Sequence, residues 1–151
     1  MTILLACIIF AFSAIIFTTI YHHLNFIYHI LGIILYFIQV TSQFYTALVN
    51  PGILNKKYYF SKDLFTEVEK NVNLNFCEYC SILVKESQSV NHCVTCDICY
   101  EHYDHHCIWI GKCIAKRNIT SFWVFVFSTI SYFLYNIALF FIYILSSYLK
   151  R

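Results

Sequence analysis

Residues 77–113 read CEYCSILVKESQSVNHCVTCDICYEHYDHHCIWIGKC and hold seven of the chain's eight cysteines. Cys77-x2-Cys80 and His92-Cys93-x2-Cys96-x2-Cys99 stand at spacings that gather soft ligands around a tetrahedral ion, and His106 and Cys113 extend the set. Three thiolates and one imidazole satisfy such an ion, and the inventory divides into two complete sets of that kind with Cys107 left over. Cys107 itself closes Asp104-His105-His106-Cys107, which places a carboxylate, two imidazoles and a thiol in consecutive positions. Few aliphatic residues occur between Asn75 and His106, so this region is expected to depend on metal for its fold.

Working outward, the flanks set the environment. The chain is 60% hydrophobic and 12% charged, with a mean hydropathy of +0.63 and a net charge of +2. A soluble domain carries about one quarter charged residues, so the composition is that of a membrane protein. Residues 1–49 and 122–149 contain no Asp, Glu, Lys or Arg, and all eight acidic residues lie between them.

The first uncharged stretch is about twice the length that crosses a bilayer and is interrupted at Tyr21-His22-His23-Leu24-Asn25. It therefore predicts two spans joined by a tight turn, near Ile3 to Ile20 and near Phe26 to Val49. The first lacks the basic leader and the small-residue cleavage site of a signal peptide. The second should stop at Asn50-Pro51-Gly52, where proline restricts the residue before it and glycine takes the turn after it. A third span is expected near Ser121 to Leu149, capped by Asn118 or Thr120.

The resulting class is an all-α integral membrane protein of three transmembrane helices, with a zinc-binding cysteine-rich domain between the second and third. Its parts are 1–49, two helices; 50–76, a juxtamembrane linker; 77–120, the cysteine-rich domain; and 121–151, the third helix. Leu64, Phe65, Val68 and Val72 give the linker a short amphipathic helix over 61–72. Eight basic residues fall in the central loop and none in the turn after the first helix, so the loop is expected to be cytosolic. Cytosolic thiols are kept reduced, which favours zinc over disulfides. The loop's eight basic residues are matched by its eight acidic ones, which leaves no surplus for nucleic acid. No internal repeat stands out. His22, His23 and His29, with no cysteine or carboxylate close by, read as solvated or packing histidines.

The run Cys-x2-Cys, His-Cys-x2-Cys-x2-Cys-x4-Asp-His-His-Cys-x5-Cys, with Asn118 and Phe122 after it, resembles the cysteine-rich domain of DHHC-type protein S-acyltransferases, or palmitoyltransferases. Asn50-Pro51-Gly52 is similar to that family's Asp-Pro-Gly motif. The resemblance implies two structural Zn2+ ions, one on Cys77, Cys80, His92 and Cys99 and the other on Cys93, Cys96, His106 and Cys113. It also implies that Cys107 is the nucleophile, His105 its base and Asp104 the residue orienting that base. The reaction implied moves a palmitoyl group from palmitoyl-CoA to Cys107 and then to a cysteine of a membrane-associated protein. An adjacent imidazole suits such a thiol, because the thiolate is the attacking species.

Trp109 is then expected at the acyl chain or the membrane interface, and Tyr132 at the chain's far end on a face shared with Phe125, Ser128 and Thr129. Coenzyme A phosphates are expected on Lys112, Lys116 and Arg117, since the family's basic, proline-containing run is reduced here to Lys85 beside Glu86. Other departures are Ile108 for the usual proline, Lys112 for asparagine and Ala115 for glycine. The family has at least four spans, whereas three are read here. The chain is thus expected to be a truncated gene product, a fragment, or a reduced enzyme that takes a helix from a partner. A non-catalytic zinc-stabilised membrane adaptor is the alternative to the enzyme. The resemblance implies a multi-pass location in the Golgi, the endoplasmic reticulum or the plasma membrane.

Overall fold

The computed structural model describes residues 4, 7–9, 11–15, 25–54, 74–85 and 89–149. The chain separates into two compact units, Met1–Ala47 with Ser121–Arg151, and Leu48–Thr120.

Among its described residues the first unit is built on two long helices, α1 (Phe26–Leu48) and α2 (Ile119–Leu149), the latter starting in the other unit. At about 1.5 Å per residue they measure about 35 Å and about 46 Å, against a hydrocarbon core of about 30 Å. Both are long and apolar enough to cross a membrane. Their bounds lie within two residues of those expected from sequence. The first expected span, Ile3 to Ile20, is described only at positions 4, 7–9 and 11–15, all helical, and the rest of it lies outside the described residues. The amphipathic helix expected at 61–72 also lies outside them.

The burial of these helices is the reverse of a soluble bundle. The buried residues of α1 are Gln39, Ser42, Gln43 and Thr46, at i, i+3, i+4 and i+7, so a single polar stripe faces inward. On α2 the buried stripe is Phe125, Ser128, Tyr132, Asn136 and Leu139. Ser42 Oγ and Ser128 Oγ meet at 3.2 Å, and Gln39 Nε2 donates to Gln43 Oε1 at 3.3 Å. Phe37, Tyr45, Phe127, Phe133, Phe141 and Leu145 are among the large apolar side chains left exposed. Water would penalise that surface, whereas lipid accommodates it and makes polar contacts between helices worth keeping.

The second unit corrects the all-α expectation. Among its described residues it contains three antiparallel hairpins: β1 (Leu74–Cys77) with β2 (Ile82–Lys85), β3 (Val90–Cys93) with β4 (Ile98–Glu101), and β5 (His105–Cys107) with β6 (Lys112–Ile114). Strands of three or four residues are too short to carry a readable alternation of polarity. The chain reverses just after Cys77, Cys93 and Cys107, pairing the residues that flank each turn, and in the first two hairpins the turn also carries a second cysteine, Cys80 or Cys96.

The three hairpins repeat one design, contrary to the expectation of no internal repeat. Cys77 pairs with Ile82, Cys93 with Ile98 and Cys107 with Lys112, each across a four-residue turn. The last turn residue is left-handed in every case: Ser81 (φ 54°), Asp97 (φ 54°) and Gly111 (φ 69°). The Asp97 and Gly111 amides each donate to the carbonyl of the hairpin's first cysteine, Cys93 or Cys107, at 2.8 Å.

A short strap, Asn50 to Leu54, runs along the middle hairpin. Asn50 Oδ1 accepts the Gly52 and Ile53 amides at 2.9 and 3.1 Å, turning the chain just after α1, and Gly52 adopts φ 108°. Glu101 N donates to Gly52 O and Leu54 N to Cys99 O, each at 3.1 Å, so the strap adds a rung on either side of Tyr100. Arg117 N donates to Pro51 O at 3.2 Å, which brings the exit of the third hairpin to the same strap.

Candidate functional site

The hairpins bring the eight expected metal ligands into two groups. Cys77, Cys80, His92 and Cys99 form one, and Cys93, Cys96, His106 and Cys113 the other, with the ligand atoms of each group within 4.8 Å of one another. The grouping interleaves along the chain because β3 contributes its His92 to one cluster and the adjacent Cys93 to the other. Neighbouring strand residues face opposite sides, so a His-Cys pair serves two centres. Residues 106 and 113, directly opposed across β5 and β6, both face the second cluster.

The donor sets fit tetrahedral zinc. Zn–S bonds of about 2.3 Å and Zn–N bonds of about 2.0–2.1 Å imply S···S edges of about 3.8 Å and S···N edges of about 3.6 Å. In the second cluster, His106 Nδ1 lies 3.3, 3.5 and 3.8 Å from Cys96, Cys113 and Cys93, and Cys96 Sγ lies 3.4 Å from Cys113 Sγ. In the first, His92 Nδ1 lies 3.3 Å from Cys80 and 3.7 Å from Cys99. His92 presents its other nitrogen to Asp97 at 3.4 Å, an outer partner that sets the ring's tautomer, and its ring stacks on Tyr79 at 4.8 Å.

The electrostatics of the second cluster also call for a cation. Burial raises the Cys93 thiol, but hydrogen bonds from the Cys96 backbone, Cys113 and Tyr103 outweigh it and bring it down to about 6. Burial pushes Cys113 up to about 12, reinforced by its hydrogen bond with Cys93. Near neutral pH the Cys93 thiolate is thus accommodated while Cys113 is held protonated, and a cation bound between them would favour the ionised form of both. Tyr100 and Tyr103 are raised by burial and by hydrogen bonds to these sulfurs, Tyr100 to Cys113 and Cys96 and Tyr103 to Cys93. In the first cluster burial likewise raises Cys99, while hydrogen bonds from the Cys80 backbone and Cys99 lower Cys77 against its own burial.

The third hairpin follows the second except at one point. His92-Cys93-x2-Cys96-x2-Cys99 corresponds to His106-Cys107-x2-Ile110-x2-Cys113, so Ile110, only 2% exposed, occupies the place of a second knuckle cysteine. Cys107 therefore belongs to neither ligand group. It is buried at 6% exposure in β5, on the strand face it shares with His105 and opposite to His106. Asp104 Oδ2 stands 3.5 Å from His105 Nδ1, with both side chains about half exposed.

The remaining expected residues divide. Trp109 and Ile108 are exposed in the turn after Cys107. The Lys116 ammonium is paired with the Glu101 carboxylate. Arg117 is exposed, and its guanidinium has no hydrogen bond or ion pair among the described residues. Lys112 reaches the carbonyls that end α1, Val49 O at 2.8 Å and Leu48 O at 3.4 Å. Tyr132, Phe125 and Ser128 lie on the buried face of α2, whereas Thr129 is half-buried and donates to Phe125 O. The Tyr132 hydroxyl is hydrogen-bonded to Ser13, and its ring lies 6.1 Å from that of Tyr36.

Several of these relations escaped the sequence. Asn118, expected with Thr120 as a candidate helix cap, also turns its fully buried amide back onto the third hairpin, accepting from Ala115 N at 2.8 Å and donating to Cys113 O at 2.9 Å. Ser13 lay unremarked in an apolar stretch. The hairpin repeat had a signal, the alignment of His-Cys-x2-Cys-x2-Cys with His-Cys-x2-Ile-x2-Cys, masked by the missing cysteine.

Comparison with known proteins agrees with this geometry. The chain is 44% identical over 64 residues to probable protein S-acyltransferase 6 of Arabidopsis thaliana, covering 42% of this chain and 16% of that protein. It is 28% identical over 130 residues to palmitoyltransferase ZDHHC18-A of Danio rerio, covering 70% of this chain and 27% of that protein. Against human palmitoyltransferase ZDHHC9 the identity is 41% over 70 residues, covering 44% and 19%. The chain thus spans about a quarter or less of the length of these relatives. The family model for DHHC palmitoyltransferases matches residues 70–151, more than half of the sequence, and the protein belongs to that family.

Proposed function

We propose that the chain is a protein S-acyltransferase that carries a long-chain acyl group on Cys107. The observation that supports this most directly is the third hairpin, which keeps the metal-knuckle fold but replaces its second cysteine with Ile110, leaving one thiol outside both ligand sets and on the face of His105.

His105 takes the thiol proton of Cys107, and Asp104 orients the imidazole and stabilises its cation. The Cys107 thiolate attacks the thioester carbonyl of palmitoyl-CoA. A new carbon–sulfur bond forms, the bond to coenzyme A breaks, and the departing thiolate takes the proton from His105. In the second step a thiolate of a membrane-associated protein attacks the acyl-Cys107 thioester, and Cys107 leaves and is regenerated. Two zinc ions, held by Cys77, Cys80, His92 and Cys99 and by Cys93, Cys96, His106 and Cys113, would supply structural cross-links. Each set fills all four positions and leaves none for a reacting water.

Arg117 is the better-supported cation for coenzyme A phosphates, because Lys116 is paired with Glu101 and Lys112 is engaged on α1. Trp109 contacts the acyl chain beside the thioester. Tyr132 ends the tail's path along α2, a role supported by its burial and its hydrogen bond to Ser13. The eight lysines and arginines of the central loop, against none in the turn near residues 21–25, favour a cytosolic site. Incubating the purified chain in detergent micelles with labelled palmitoyl-CoA tests the reading. Hydroxylamine-sensitive label that disappears in Cys107→Ser supports it, and a wild-type chain that takes no label refutes it.

A further inference from the structure

Lys112 differs from its counterparts in the repeat. The residue paired across the ladder from the first cysteine is isoleucine in the two other hairpins, Ile82 opposite Cys77 and Ile98 opposite Cys93. Ile82 is 3% exposed and packs with Cys99, and Ile98 packs against the core around Cys93. Opposite Cys107 stands a lysine. Its half-buried stem carries the ammonium to Val49 O at 2.8 Å and Leu48 O at 3.4 Å.

Those carbonyls close α1, whose last turn contains no basic residue of its own. A helix C-terminus concentrates unsatisfied carbonyls and partial negative charge, and a cation there satisfies both. The strap that follows is held by backbone bonds to β4 and to Arg117 N, none of which touches β5 or the turn after Cys107. Lys112 thus makes a link from the nucleophile's own ladder pair to the helix end, and the same engagement draws its charge away from solvent phosphates.

We propose that Lys112 is a positioning residue for Cys107: by binding the Leu48 and Val49 carbonyls it fixes the reactive hairpin to the chain that leads into the strap. The inference rests on Cys107 being the nucleophile, and misplacement of a reacting group by about 1 Å costs on the order of 100-fold in rate. Two readouts on the full chain in micelles test it. In autoacylation with palmitoyl-CoA, Lys112→Met should lower kcat about tenfold or more while KM stays within about twofold, and Lys112→Arg, which still reaches the carbonyls, should restore most of the rate. In peptide-resolved alkylation by iodoacetamide, which needs no enzyme activity, Lys112→Met should speed labelling of the buried Cys107 severalfold, and Lys112→Arg should not.

Metal content is measured alongside. Should Lys112→Met lose metal, Lys112→Gln, which retains an N–H donor on a shorter arm, takes its place in both comparisons. Unchanged kcat with unchanged alkylation overturns the inference. So does a raised KM at constant kcat, the signature of a phosphate ligand. A wild-type chain that takes no acyl group would refute the proposed function, and the alkylation rates would still decide the role of Lys112.

Discussion

Replacing Asn118 with alanine should release the second metal cluster without touching a ligand. The Asn118 amide is fully buried, accepting from Ala115 N and donating to Cys113 O, at 2.8 and 2.9 Å. Ala115 and Cys113 are themselves 0% exposed, so water cannot take over either bond when the amide is removed. Leaving a buried group unsatisfied costs about 1–3 kcal/mol. Allowing about 1–2 kcal/mol for each of the two gives about 2–4 kcal/mol. Metal binding and folding are linked in a region with this little apolar core, so the loss should be read in metal retention. At about 1.4 kcal/mol per factor of ten, zinc at the second cluster should bind about 30- to 700-fold more weakly. Competition with a chromophoric chelator on the purified chain measures this directly. Thr120→Ala, an exposed position two residues along, is the control and should change binding by less than about 0.5 kcal/mol. Chelator competition for Asn118→Ala within about threefold of wild type would refute the reasoning, as would a larger effect from Thr120→Ala.

Three further outcomes are expected. Asp104→Asn should slow autoacylation about 10- to 100-fold with metal content unchanged, a smaller loss than in a buried triad because the 3.5 Å Asp104–His105 pair is about half exposed; rates against acyl-CoA concentration, read with metal analysis, check this. Zinc affinity of the second cluster should fall as pH falls: Cys113, at about 12 in the ion-free cluster, must give up a proton on loading throughout the neutral range, and below about pH 6 Cys93 must give up one as well, so the loss per pH unit steepens there. Competition titrations between about pH 5 and 8 read the slope, and a flat profile contradicts it. Tyr132→Ala should shift the acyl preference toward chains longer than palmitoyl, as measured by competition among acyl-CoAs of graded length, and an unchanged preference removes Tyr132 from the tail's end.

What could be read in the sequence follows from what each feature needs. Metal ligands are local in spacing and chemically distinctive, so the cluster residues were visible as residue types before any geometry. The long helices were visible because their uncharged runs exceed anything a soluble fold requires. The hairpins were not, since strands as short as His105–Cys107 carry no period of their own and arise from the turns between ligands. The inward polar stripe of Gln39, Ser42, Gln43 and Thr46 was hidden because composition averages over the face on which residues lie. The backbone partners of Asn118 and Lys112 were hidden for a related reason. An amide beside a helix start suggests a cap, and a lysine near a thiol suggests a phosphate ligand, and both also bind backbone carbonyls, Asn118 that of nearby Cys113 and Lys112 those of Leu48 and Val49, whose nearness only the fold reveals.

Native mass spectrometry of the full chain after exposure to palmitoyl-CoA bears most directly on the division of the cysteine-rich region into two metal clusters and one reactive thiol. The expected species carries two zinc ions and one acyl group, the acyl group maps to Cys107 and leaves with hydroxylamine, and Cys107→Ser retains both ions while accepting no acyl group. An acyl group that maps to one of the eight cluster ligands, or loss of an ion in Cys107→Ser, would contradict that division.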